Sequence, residues 1–143
     1  MIRYRTKDLT SIDHSPCACG RTSARISRFK GRVDDMLIIR GVNVFPSQIE
    51  EVLLKVSGNQ ITPNYQIIVD RVNNTDTFDI NVEMSEAFFS DNIKAIEKLE
   101  KRITEDLRSM LGISAKVHLV NPKSIVRSEG KAKRVIDNRA GKI

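Results

Sequence analysis

Tryptophan is absent from this chain, and aromatic residues make up only 5% of it. A base-stacking platform for single-stranded nucleic acid is therefore poorly supplied. Cysteine is nearly absent as well. The two present, Cys17 and Cys19, stand one residue apart, a spacing at which a disulfide is strained. So few cysteines exclude a disulfide-stapled secreted fold and point to a reducing cytoplasm. No apolar run approaches the roughly 20 residues of a membrane helix, so no membrane partner is expected. The opening Met1-Ile2-Arg3-Tyr4-Arg5 has no apolar stretch behind its basic residues, so a secretory signal is not expected either. There is no repeat at solenoid period and no low-complexity tract.

What is there is ordinary for one globular core: 143 residues, 40% hydrophobic and 29% charged. Two large domains are excluded by length. Basic residues number 24 against 18 acidic, a net of +6, which suggests an anionic partner without naming it. Position narrows the choice. Residues 1–58 carry a net +4, residues 59–120 a net −3 and residues 121–143 a net +5. A nucleic-acid binder would more often keep its charge along one element or face, so no nucleic acid is expected.

Hydrophobic periodicity sets the element order. Residues 1–29 are polar, basic and irregular, with Arg25-Ile26-Ser27-Arg28-Phe29 alternating like a short strand. From Gly31 the texture changes. Met36-Leu37-Ile38-Ile39 reads as a strand and Gly41 as a turn. Pro46 opens a helix, with Ile49, Val52, Leu53 and Val56 on one face and Gly58 as its stop. Tyr65 to Val72 is a strand, and residues 72–76 are a turn cluster. Phe78, Ile80, Val82 and Met84 alternate with Asp79, Asn81 and Glu83 as a half-buried strand. Ser90 or Asp91 caps a long helix whose apolar positions are Ile96, Leu99, Ile103, Leu107 and Met110. Ala115 to Val120 is a further strand; Pro122 breaks it and a basic tail follows. Strand, helix, strand, strand, helix, strand is the split β-α-β plan of ferredoxin-like domains, an α+β fold with an antiparallel sheet and two helices on one face. Many functions use that plan.

Four places carry chemistry. Asp8, after Tyr4-Arg5-Thr6-Lys7, has the two acceptors a ribose diol needs, or is a turn Asp. Arg32, in Gly31-Arg32-Val33-Asp34-Asp35, has the fork that clamps a phosphate, or pairs with its neighbouring carboxylates. Gly130-Lys131 presents a compact ammonium suited to phosphate or carboxylate oxygens, or is part of a solvated tail. His14-Ser15-Pro16-Cys17-Ala18-Cys19-Gly20 places one imidazole and two thiols on a turn. Those are three ligands of a tetrahedral zinc site, or a polar loop with two unremarkable thiols.

In this order and spacing the segments resemble the three C-terminal signatures of the adenylate-forming acyl-CoA ligase superfamily, over nearly the whole chain. The stretches Arg3 to Leu9, Asp35 to Pro46 and Arg127 to Asp137 look specifically like phenylacetate–CoA ligases. The resemblance implies a two-step reaction. An aryl acid carboxylate attacks the α-phosphorus of ATP, with Mg²⁺, giving an acyl-adenylate and pyrophosphate; coenzyme A then displaces AMP. It also implies a large N-terminal domain, of which residues 1–30 would be the end. Residues 31–143 would be a small mobile lid. By position Asp8 would hold the AMP ribose and Arg32 would face phosphate or ribose. Asp34 would be the hinge and Lys131 the adenylation lysine. Gly41 would line the coenzyme A tunnel, and Lys133 and Arg134 would help hold coenzyme A phosphates. The zinc reading of Cys17, Cys19 and His14 also gains, because some members of this branch carry a Cys-rich turn here.

Two departures narrow the subfamily: Lys7 where much of the superfamily has Gly, and Asn43 where many have Arg. Without its upstream domain, the chain alone is not expected to adenylate phenylacetate. Two other readings stand beside this one. The first is a stand-alone ferredoxin-like module binding a small ligand or forming a homodimer through the helix from Ser90 to Leu111. The second is a basic RNA-binding domain, against which the acidic middle and scarce aromatics count.

Overall fold

A computed structural model describes residues 5–56, 58–89, 93–126 and 134–139. The chain divides into two compact units between Met36 and Leu37.

The first unit is a polar ribbon. Strand β1 (Asp8–Leu9) pairs antiparallel with β4 (Gly31–Arg32), and β2 (Ile12–Asp13) with β3 (Arg25–Ile26). Backbone bonds from Lys30 N–H to the Leu9 carbonyl (2.8 Å) and from Ser27 N–H to the Ser11 carbonyl (3.0 Å) continue the ladder between the short strands. The Ser27 hydroxyl ties in Thr10 and Ser11. A single 3₁₀ turn, Val33–Asp35, ends the unit.

The second unit opens with a hairpin of β5 (Leu37–Ile39) and β6 (Val42–Val44). Its two-residue turn, Arg40-Gly41, has φ of +49° and +79°, the left-handed pair that matches strand twist in tight hairpins. Helix α1 (Pro46–Val56) follows. Gln48 Oε1 accepts the Phe45 N–H at 3.0 Å, satisfying a donor the helix start would leave orphaned. Ile49, Val52, Leu53 and Val56 are buried, the face expected from their spacing. Next come β7 (Ile61–Val72) and β8 (Thr75–Met84), joined by Asn73-Asn74, both with positive φ. Pro63 cannot donate to a ladder, and the register shifts where it sits, between Ile61 and Tyr65. Helix α2 (Ile93–Leu111) buries Leu99, Ile103, Leu107 and Leu111; its expected cap at Ser90 or Asp91 lies outside the described residues. Then come β9 (Lys116–Val120) and β10 (Val135–Asp137).

The main sheet runs β10-β7-β8-β9. Helices α1 and α2 pack on each other and on this sheet, and the core lies between. The unit is thus mixed α/β, and its sheet departs from the antiparallel one expected. Only β7–β8 is antiparallel; β8–β9 and β10–β7 are parallel. The helix between β8 and β9 makes them run the same way in either arrangement, and with no strand between them they pair directly and therefore parallel. The expected first strand, 36–39, is consumed by its own hairpin with β6. It therefore does not lie between β8 and β9, where the split β-α-β plan would put it, and the free edge of β7 is taken instead by residues 135–137, within the stretch read as a basic tail.

Candidate functional site

Three clusters gather the charged residues of interest. The first lies in the ribbon unit. Asp8 and Arg32 are direct partners across the β1–β4 ladder, so their side chains leave on the same side. The Val33 N–H donates to the Lys7 carbonyl at 2.8 Å, carrying the pairing into the 3₁₀ turn. Arg32 then donates twice to Asp34, Nε to Oδ1 and Nη2 to Oδ2, both at 3.0 Å. Lys7 Nζ approaches Asp34 Oδ2 at 3.5 Å. This fork holds the Asp34 carboxyl down at about 2 and raises the Arg32 guanidinium. All three side chains remain open to solvent. Three expected residues, Asp8, Arg32 and Asp34, therefore meet in one place, two residues before the chain divides. Lys7 was missed. It has φ +65°, the left-handed region that glycine occupies at no steric cost. That gives a physical reason for Gly at this position in much of the superfamily.

The second cluster surrounds Gly41. Asp76 Oδ2 accepts the Arg40 N–H at 3.2 Å and Arg139 Nη1 at 3.2 Å; Asp76 Oδ1 accepts Arg71 Nε at 3.0 Å. Arg40 Nε reaches the Asp76 carbonyl at 2.9 Å. Arg139 also donates to the Ile38 carbonyl and forks onto Asp137 at 2.9 and 2.8 Å. One buried carboxylate thus fixes the backbone of the Arg40-Gly41 turn from β8 and from the end of the chain. These donors, the Arg40 N–H first, keep the Asp76 carboxyl below the usual range. Asp137, its closest carboxylate, raises the Arg139 guanidinium. None of these residues stood out beforehand, although one signal existed. Asp76 is in phase with Phe78, Ile80, Val82 and Met84, the buried face of β8, where an unpartnered carboxylate would be costly.

The third cluster holds Arg134. Its Nη1 donates to both carboxylate oxygens of Glu50 at 3.1 and 3.0 Å, and its guanidinium lies 4.9 Å from the centroid of the Tyr65 ring. Burial, chiefly, raises the Tyr65 hydroxyl. The Arg134 carbonyl accepts the Ile67 N–H at 2.7 Å, starting the β10–β7 pairing. Arg134 therefore anchors β10, a few residues after Lys131 in the chain. Lys131 and Lys133 lie outside the described residues.

The cysteines come together, but their imidazole does not join them. Cys17 and Cys19 Sγ atoms are 3.0 Å apart on a turn closed by Gly20 N–H to the Cys17 carbonyl at 2.9 Å. Two thiolates on one tetrahedral zinc at about 2.3 Å would stand about 3.8 Å apart. Among the described residues no three His, Cys, Asp or Glu side chains gather as a metal site. The described residues thus do not fit zinc, and His14 stays exposed. No helix among them is long and apolar enough to cross a membrane.

A mixed sheet under two helices, preceded by this ribbon, defines the C-terminal domain of adenylate-forming ligases. The chain belongs to the AMP-binding enzyme C-terminal domain family, whose model matches residues 41–139. It is 44% identical over 139 residues to a phenylacetate-coenzyme A ligase of Escherichia coli, covering 97% of this chain and 31% of that protein. To the phenylacetate-coenzyme A ligase of Thermus thermophilus it is 41% identical over 152 residues, covering 97% of this chain and 34% of that protein. A solved 2-hydroxyisobutyryl-CoA ligase, in the postadenylation state with 2-HIB-AMP, superposes with TM-score 0.80 at 37% identity, over 96% of this chain and 29% of that one. A solved domain of a phenylacetate-coenzyme A ligase from Bacteroides vulgatus gives TM-score 0.66 at 33% identity, over 75% of this chain and 95% of that one. The chain thus spans about a third of the curated relatives' length.

Proposed function

We propose that this chain is the C-terminal part of an ATP-dependent aryl acid–CoA ligase, with phenylacetate as substrate. The enzyme would act in the cytoplasm and need a large N-terminal domain beyond this chain. The observation that carries the reading is the ribbon cluster. Asp8 sits opposite Arg32, and one turn later Asp34 stands at the boundary between two compact units. That is where a nucleotide-holding carboxylate, a phosphate-facing guanidinium and a hinge are needed. Residues 1–30 belong, in this reading, to the end of the large domain and 31–143 to the lid. The lid is a variant of the split β-α-β plan that has no strand between β8 and β9 and gains β10 on the edge beside β7.

The chemistry divides between two half-reactions. In the first, a carboxylate oxygen attacks the α-phosphorus of ATP and pyrophosphate leaves. The Lys131 ammonium bridges the substrate carboxylate and the α-phosphate, where negative charge develops in the transition state. Asp8 accepts both ribose hydroxyls. In the second, the coenzyme A thiol attacks the acyl carbon and AMP leaves. Gly41 lines the approach of the thiol, and the Asp76–Arg139 network keeps that turn in its shape. Lys133 supplies charge for coenzyme A phosphates. Arg134, paired with Glu50, anchors β10, which follows Lys131 and Lys133 in the chain. Between the steps Asp34 absorbs the backbone change of lid rotation. Mg²⁺ would arrive on the ATP phosphates, since this chain gathers no cage for it among the described residues. Zinc has no part in this reading. In the full-length enzyme, Lys131→Ala is expected to slow pyrophosphate release with phenylacetate and ATP on the order of 100-fold or more, while thioester formation from preformed acyl-adenylate is largely spared. Equal loss of both steps would overturn the assignment. The chain alone is expected to release no pyrophosphate.

A further inference from the structure

The zinc misfit leaves a different chemistry for the cysteine pair. The loop joining β2 to β3 is pinned at its root. Arg25 Nη2 donates to Asp13 Oδ2 at 2.7 Å and to Ser15 Oγ at 2.8 Å, while Asp13 Oδ1 accepts the Ser15 N–H at 2.8 Å. Beyond that root the Cys17–Gly20 turn, with Gly20 at φ +81°, sets Cys17 and Cys19 as its first and third residues. Their sulfurs meet at 3.0 Å, closer than the ordinary non-bonded separation of two sulfur atoms. Both are free cysteines, Cys19 exposed and Cys17 partly so. A thiolate accessible to solvent beside a second thiol is the arrangement that exchanges with disulfides.

We propose that Cys17 and Cys19 form a dithiol that a low-molecular-weight disulfide oxidises reversibly to an intramolecular disulfide. In the first step the Cys19 thiolate attacks one sulfur of the small disulfide. The small S–S bond breaks, a mixed disulfide forms on Cys19 and one small thiolate leaves. In the second step Cys17, having lost its proton to solvent, attacks Cys19 Sγ. The mixed disulfide breaks, the Cys17–Cys19 bond forms and the second small thiolate leaves. Two protein thiols are oxidised by two electrons, and one small disulfide is reduced to two thiols. Cys19 attacks first because it is the more exposed. Its thiol is also held below the ordinary value, chiefly by the Cys17 thiol and also by the Arg21 backbone N–H. The short spacing strains the product, which makes it readily reduced by thiols. The inference does not depend on the ligase reading.

The test uses the full chain and oxidised glutathione, read by intact-mass spectrometry and thiol titration. The two titratable thiols should fall to none with no retained glutathione, and dithiothreitol should restore both. Cys17→Ser should instead keep one glutathione as a stable adduct on Cys19. Cys19→Ser should react at least several-fold more slowly. Closure should be at least tenfold faster in the native chain than in the same chain in urea. Adducts persisting on both cysteines, unreactive thiols, equal rates in urea, or one zinc per chain that blocks the reaction would each overturn the proposal.

Discussion

Among the described residues of 5–36 no side chain is buried, whereas those from Leu37 onward include twenty buried apolar ones. Ile12 and Ile26, direct partners across β2–β3, remain 63% and 62% exposed. The two units carry function by different means. The sheet unit gains its shape from apolar burial and spends one carboxylate, Asp76, to hold the Arg40-Gly41 turn. The ribbon has no core to hold a shape, so short ladders, hydroxyl bonds and the Arg32–Asp34–Lys7 cluster set its geometry. A surface of that kind is suited to meeting ligand and changing conformation; a packed interior is not, because it resists continuous deformation.

The contrast is sharpest in its response to truncation. Phe78→Ala should destabilise the sheet unit by about 3–5 kcal/mol, read by urea unfolding, since Phe78 is 1% exposed. Ile26→Ala should change the same measurement by less than about 0.5 kcal/mol. Comparable losses would show that the ribbon is packed after all.

Next in size is the buried carboxylate. Asp76→Ala leaves the Arg40 N–H without its acceptor, removes one of those of Arg139, and should cost about 2–3 kcal/mol at neutral pH. Because the folded Asp76 carboxyl lies below its unfolded value of 3.8, its stabilisation is present above that value and lost as pH falls through the folded one. The variant's stability should therefore fall less steeply than wild type below about pH 4. Parallel acid curves would remove Asp76 from the account.

In the ribbon the corresponding test is a titration. Asp34 should titrate near 2 in the chain, and Arg32→Ala should move its midpoint most of the way to 3.8, followed by carboxyl NMR. An unmoved midpoint would mean that the fork is not formed in solution. Smallest is Lys7→Gly. It relieves a left-handed backbone worth about 1 kcal/mol and removes a solvent-exposed ion pair of little value. Slower exchange of the Val33 N–H is expected; faster exchange would show that the Lys7–Asp34 contact outweighs the strain.

Helix α1 and strand β8 were readable residue by residue because each meets the core along one face, and that face repeats at a fixed period. Asp8, Arg32 and Asp34 were readable as a set through resemblance, and their spacing along the chain survives as a cluster. The Asp76 network was not readable as a network. Its members lie up to 101 residues apart, as Ile38 and Arg139 do, and a lone Asp in phase with an apolar face does not name its partner. The mixed sheet escaped for a related reason. Val135–Asp137 is too short to declare itself, and its pairing with Ile67–Val69 depends on an edge that exists only after β7 is in place.

The amino-acid sequence by itself determined where the two helices and the longer strands lie, which face of each is apolar, where the charge sits and which family the chain resembles. These are local properties, written in periodicity and motif. Only the tertiary structure decided which strands are neighbours and in which direction. It also decided that Arg134 is held by Glu50 and Tyr65, that Lys7 adopts a left-handed backbone beside Asp34, and that two thiols stand without a third ligand among the described residues. Such outcomes follow from groups distant in the chain competing for the same space and the same hydrogen bonds, a competition no local pattern records.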